Sequence, residues 1–109
     1  MQNTEATTYR RNGDVWTKTR DNDFDGLRRL LAEGADPNEL GGHPSFCTPL
    51  DLAVYYSDVA MVKLLLAYGA DVEKCNHHGH TPLRTSLHHV ERVITEMLLQ
   101  HGAIVHESH

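Results

Sequence analysis

The sequence predicts an all-α solenoid of three helix-turn-helix units joined by hairpin loops, and two repeated motifs support this fold class. The first motif, Leu-Leu-x-x-Gly-Ala, occupies residues 30–35, 65–70 and 98–103. The second motif, Thr-Pro-Leu, occupies residues 48–50 and returns at 81–83. Thr48 precedes Gly69 by the same interval at which Thr81 precedes Gly102. Two landmarks that keep one spacing from unit to unit are typical of stacked helical repeats.

The Thr-Pro-Leu motif predicts the start of the first helix in each unit. A Thr hydroxyl can cap the free amides of a helix, and Pro fits the first helical position. We therefore expect first helices over about 49–56 and 82–89. Polar, turn-rich segments at 36–47 and 71–80 predict the hairpins between units.

The second helix of each unit follows from apolar residues at helical spacing. In the second unit these are Val59, Val62, Leu65 and Leu66, and in the third Val90, Val93, Ile94, Met97 and Leu98. Gly69 and Gly102 are expected to end these helices, because Gly accepts the left-handed conformation that closes a helix.

A first, divergent unit is found by applying the same interval backwards from Gly34, which leads to Gly13. Its helices are expected over about 15–21 and 24–33, with Asp23 capping the second of them. The predicted organisation is a mobile tail at 1–12, followed by units at about 13–47, 48–80 and 81–105.

This combination of motifs resembles the ankyrin repeat family over about residues 13–105. The resemblance rests on the Thr-Pro-Leu turns, the Leu-Leu-x-x-Gly-Ala-Asp helix ends, Ala53, and the Asn76 and Gly79 that precede Thr81. It implies an ankyrin-type solenoid that binds another protein, and no cofactor.

Two departures from the family pattern and one difference between the second and third units carry structural expectations. Asp51 and Arg84 stand where the family usually has His, so the side-chain hydrogen bond of that turn is expected to be rebuilt or missing. Thr85-Ser86 replaces the pair Leu52-Ala53, which predicts a weakly packed first helix in the third unit. Arg92 and Thr95 replace Val59 and Val62, which predicts a polar closing cap. With Met1 at the start, we expect a complete, free-standing domain.

Composition narrows the function classes. Residues 21–109 hold six basic and thirteen acidic side chains, a net charge of −7, which disfavours a nucleic-acid partner. The longest apolar run, 64–70, is far below the roughly 20 residues that span a bilayer, so no membrane association is expected. Two cysteines are too few for a disulfide scaffold, which favours a cytoplasmic location. No catalytic motif occurs, so we expect a protein that is not an enzyme.

The resemblance implies that partners bind at the concave face, at the ends of the first helices and at the hairpin tips. The helix-end positions are Arg20 and Asp21, Tyr55 and Tyr56, and His88 and His89, and the hairpin positions are Ser45, Phe46, Cys47, Cys75, His77, His78 and His80. Adjacent Tyr residues match the aromatic enrichment of interface anchors. In the opposing interpretation, Tyr55 packs against the neighbouring helix and Phe46 folds onto its own loop. We expect a monomer or weak dimer that masks, inhibits or bridges a partner protein.

The hairpin at 75–80 raises a zinc-binding alternative. Cys75, His77, His78 and His80 supply four ligand types that zinc accepts. Their spacing matches no closed zinc motif, and His77 and His78 would point to different sides of an extended hairpin. A solvated polar surface or a pH-sensitive interface are the other interpretations of this hairpin.

Overall fold

The computed structural model describes residues 14–39, 48–74, 79–89 and 91–105. These residues form six helices: α1 (Asp14–Arg20), α2 (Phe24–Ala32), α3 (Pro49–Tyr55), α4 (Val59–Ala67), α5 (Pro82–His88) and α6 (Arg92–Gln100). Within the described ranges there is no β-strand. The helix bounds lie close to those that the sequence predicts.

The six helices pair and stack as a solenoid. Each unit is a helix pair, α1 with α2, α3 with α4, and α5 with α6. The first helices form one layer, because α3 packs against both α1 and α5, and α4 packs against α6 in the second layer. The predicted all-α solenoid is therefore confirmed. None of the helices in the described part of the chain is long and apolar enough to cross a membrane.

Side-chain caps start the helices where the sequence places them. The Thr48 hydroxyl accepts a hydrogen bond from the amide of Asp51 at 3.0 Å, and the Thr81 hydroxyl accepts one from Arg84 at 3.2 Å. The expected cap by Asp23 is also present, with its carboxylate 2.9 Å from the amide of Gly26. That hydrogen bond, and a smaller contribution from Lys18, hold the pKa of Asp23 below its usual value.

Each second helix ends in the same Schellman motif. In α4 the amide of Gly69 donates to the carbonyl of Leu66, and the amide of Ala70 donates to that of Leu65, both at 3.0 Å. Gly69 has a φ of +90°, and the glycines at 34 and 102 are also left-handed. The expected helix ends are confirmed, since the left-handed residue turns the chain toward the next hairpin.

The core lies between the two helical layers and continues through all three units. It contains Val15, Leu27, Leu30 and Leu31 from the first pair, Leu50, Val54, Met61, Val62, Leu65 and Leu66 from the second, and Leu83, Ile94 and Leu98 from the third. Because each pair covers one side of its neighbour, stacking buries apolar surface that a single pair would leave exposed.

A buried hydrogen bond replaces the usual turn contact between the second and third units. Asp51 is only 5% exposed and accepts a hydrogen bond from the Thr85 hydroxyl at 2.9 Å. Ser86 is fully buried, and its hydroxyl lies 2.8 Å from both the carbonyl of Leu83 and the hydroxyl of Thr95. The turn contact is thus rebuilt, and the Thr85-Ser86 pair that we expected to pack weakly is buried with hydrogen-bond partners.

The hairpin segments are linked along the stack through their backbone amides. The side-chain oxygen of Asn38 accepts a hydrogen bond from the amide of Asp71, and that of Glu73 accepts one from the amide of Ile104, both at 2.7 Å. These bonds join consecutive units on the hairpin side. The predicted tail at 1–12 and most of both hairpin tips lie outside the described residues.

Candidate protein-binding surface

Six side chains form a row along the stack, which we call the helix-end row: Arg20, Asp21, Tyr55, Tyr56, His88 and His89. Each pair consists of the last residue of a first helix and the residue that follows it. The row forms because α1, α3 and α5 lie side by side and end at equivalent positions. All six residues are exposed.

Aromatic contacts order the middle and the far end of the row. The Tyr55 ring lies edge-on to the rings of Tyr56, at 5.7 Å between centroids, and of His89, at 5.2 Å. The rings of His88 and His89 are 5.7 Å apart. The two contacts of Tyr55 are edge-to-face, an arrangement that is favourable between aromatic rings. The contact with His89 links the second unit to the third across the surface.

The two tyrosines contact each other and remain available to a partner. Tyr55 is 57% exposed and Tyr56 is 52% exposed. Tyr55 does contact the neighbouring unit, as the packing interpretation required, but it does so through His89 at the surface and not in the core. A Tyr side chain has only two χ angles, so it loses little side-chain entropy when a partner covers it.

An ion pair occupies the near end of the row. The Arg20 Nε donates a hydrogen bond to the Asp21 carboxylate at 2.9 Å. This bond raises the pKa of Arg20 and lowers that of Asp21, and the phenol of Tyr56 makes a smaller contribution to raising the pKa of Arg20. The pair is solvent-exposed, so it orients the Arg20 side chain and contributes little to stability.

Trp16 contacts Arg20, and it was not among the partner-binding residues predicted from the sequence. The Arg20 guanidinium lies 5.7 Å from the centroid of the Trp16 ring, within the range of a cation–π contact. The signal that could have found it is the i, i+4 spacing on one helix, which places both side chains on the same face.

Of the hairpin residues in the predicted site, only His80 is described, and it is half-buried just before Thr81. Phe46, His77 and His78 lie outside the described residues, as do Ser45, Cys47 and Cys75. Of the four candidate zinc ligands in this hairpin, the structure therefore describes only His80. Across the ranges that the structure covers, no three His, Cys, Asp or Glu side chains lie close enough to hold a metal ion.

A family model described as ankyrin repeats (3 copies) matches residues 17–108, which is most of the chain. The protein belongs to the ankyrin repeat family. Ankyrin repeats are in general non-catalytic modules of protein–protein interaction. The three copies agree with the three helix pairs, so the helix-end row is a surface assembled from one pair of residues in each ankyrin unit.

Two curated relatives are much longer than this ankyrin domain. The ARF GTPase-activating protein Git of Drosophila melanogaster is 37% identical over 71 residues, which are 65% of this chain and 10% of that protein. A putative ankyrin repeat protein of Fowlpox virus (strain NVSL) is 34% identical over 80 residues, which are 73% of this chain and 18% of that protein. The chain thus spans a small part of each relative, and the similarity concerns the ankyrin repeats.

Proposed function

We propose that this ankyrin domain binds a partner protein through its concave face, with the helix-end row as the central contact. The observation that carries the proposal is the exposed Tyr55–Tyr56 pair, which contacts His89 in a row built from all three units. Tyr, Trp and Arg are the residue types that most often dominate binding energy at protein interfaces.

The charge of the helix-end row is compatible with a protein-binding surface. Arg20 and Asp21 neutralise each other, and the other four residues of the row are formally uncharged at pH 7, with His counted as neutral. Interface centres are depleted in net charge and enriched in aromatic side chains. The row is thus a low-charge aromatic strip on a domain whose net charge is strongly negative, which disfavours nucleic acid as the partner.

Binding through such a row acts by occupancy, without a chemical step on the partner. The domain masks or inhibits a partner when the row covers that partner's own contact site, and it bridges when a second surface is engaged as well. We place this binding role in the cytoplasm because the cysteine content is low. We propose that the role is not catalytic because the sequence contains no catalytic motif.

The test begins with a pull-down from lysate of the native cell and mass-spectrometric identification of the partner. Calorimetry then compares the affinity of the natural domain with that of the double variant Tyr55→Ala/Tyr56→Ala. Loss of two interface anchors should weaken binding by about 2 kcal/mol or more, roughly 30-fold, with unchanged helix content by circular dichroism.

Tyr68→Ala is the matched control, because Tyr68 is also exposed but lies at the end of α4, outside the row. It should bind as the natural domain does. An affinity that the double variant leaves undiminished would remove the row from the binding site.

A measurement of zinc content distinguishes the alternative function, zinc binding, from protein binding. Elemental analysis of protein purified without an affinity tag should find no stoichiometric zinc if the hairpin at 75–80 is a polar surface. About one zinc per chain, lost on replacing His77 and His78 by Ala, would instead establish a metal site.

A further inference from the structure

The third unit exposes apolar side chains at positions that the other units bury. Leu87 and Leu99 are 54% and 43% exposed, whereas their counterparts in the second unit, Val54 and Leu66, are 0% and 5% exposed. Val105 is exposed too, and its counterpart Val72 packs against the core. We call Leu87, Leu99 and Val105 the open stacking face. Arg92 supplies part of the polar cap that the sequence predicts, but these three side chains make the face substantially apolar.

The open stacking face is continuous with the interfaces that hold the units together. Val54 and Leu66 of the second unit are covered by the third unit, and in the first unit Thr19 and Leu31 are buried at the same two positions. The described residues include no unit beyond the third. Among the described residues, the third unit therefore exposes apolar side chains at positions equivalent to those of the stacking interfaces.

The opposite end of the stack is unsuited to cover this face. Thr85 contacts Asp51 of the preceding unit, and its counterpart in the second unit, Leu52, is buried, as are Ala53 and Met61. In the first unit the same positions hold Thr17, Lys18 and Gly26, which are half-buried. A charged and polar end does not complement two leucines, so head-to-tail stacking of copies is disfavoured.

Charge favours contact between two third units. Residues 14–74 carry eleven acidic and six basic side chains, a net charge of −5, and so repel the same region of another copy. Residues 79–105 carry two of each, Glu91 and Glu96 with Arg84 and Arg92, a net charge of zero with His neutral. Two copies thus approach each other at lowest electrostatic cost through their third units.

From these observations we infer that a second copy of this chain docks on the open stacking face, in a two-fold symmetric dimer with Leu87 and Leu99 at its centre. A two-fold arrangement uses the same patch on both copies and closes at two subunits. The patch is small, so the dimer is weak. The inference does not depend on the proposed partner binding, although Leu87 directly precedes His88 of the helix-end row on α5.

Sedimentation equilibrium of the full chain, up to about 1 mM protein, tests the dimer. We expect a monomer–dimer equilibrium without larger species. The variant Leu87→Arg/Leu99→Arg places like charges across the two-fold axis and should raise the dimer dissociation constant at least about tenfold. Both sites are exposed near helix carboxyl ends, where Arg is well tolerated.

Two further variants separate the contact from general charge effects and from misfolding. Val59→Arg is the matched control, because Val59 is an exposed apolar residue away from this face and Arg92 already occupies its equivalent position. It should dimerise as the natural chain does. Leu99→Glu repeats the test with the opposite charge.

Amide chemical shifts followed on dilution locate the contact. Changes should fall in α5, α6 and residues 101–105 and spare α1. A chain that stays monomeric throughout, a dimer that survives both the Arg pair and Leu99→Glu, or shifts that include α1 would each overturn the inference. The last result would indicate head-to-tail stacking.

Discussion

The buried contact between Asp51 and Thr85 shows how single residues set the register of this stack. Asp51 takes the place of a His in the usual repeat, and the Thr85 hydroxyl, on the next unit, donates a hydrogen bond to its carboxylate. A buried carboxylate is costly unless it is hydrogen-bonded. The pair therefore favours the one alignment of the second and third units in which the bond forms.

Thr85→Val tests this contact with little change in side-chain volume. The variant leaves Asp51 buried without the Thr85 donor, so the free energy of unfolding should fall by about 1–3 kcal/mol. Urea unfolding followed by circular dichroism measures the loss. Thr17→Val is the control, because Thr17 holds the same position in the first unit and is only half-buried, and it should change stability by less than about 0.5 kcal/mol. Equal losses in both variants would contradict the role given to the bond.

At the scale of the helices, the glycine that follows α4 holds a conformation that other residues adopt at a cost. Gly69→Ala should lower the free energy of unfolding by about 1–2 kcal/mol, because its φ of +90° lies in the left-handed region. No atom lies within 4 Å of the added Cβ, so the loss would come from the backbone and not from crowding. Urea unfolding measures it, and Gly69→Asn should lose less, since Asn tolerates this region better. An Ala variant as stable as the natural chain would show that the Schellman turn is not needed here.

The helices were predictable from the sequence because their start and end signals are local. Thr48, Thr81 and Asp23 cap helices that begin at the next residue, and the glycines act within the turn they close. The contacts across units were not predictable in the same way. Thr85 and Asp51 lie on different units, and so do Asn38 and the amide that it binds. Such bonds depend on the stacking register, which no local signal specifies.

The candidate binding surface was also predictable from the sequence only in part. Counting repeats identified the six positions of the helix-end row, since equivalent residues of stacked units must lie side by side. The ring geometry of Tyr55 with His89 and the support of Arg20 by Trp16 required coordinates. Leu87 and Leu99 have the apolar character of core residues, and only the structure shows that both side chains are exposed.

At the scale of the whole molecule, stability should vary along the stack, because among the three described units only the middle one is covered on both sides. α3 packs against both α1 and α5, and Val54, Val62 and Leu65 are fully buried. In a repeat array each unit is stabilised by its own helices and by its neighbours. Native-state hydrogen exchange should therefore find the slowest amides in α3 and α4, and an opening of α6 at lower free energy. At low protein concentration, the amides of α6 should exchange faster than those of α3 and α4. Raising the protein concentration should slow the exchange of the α6 amides if the third unit is the contact between copies. Amides of α6 as protected as those of α4 at every concentration would contradict a stack that is weakest at this end.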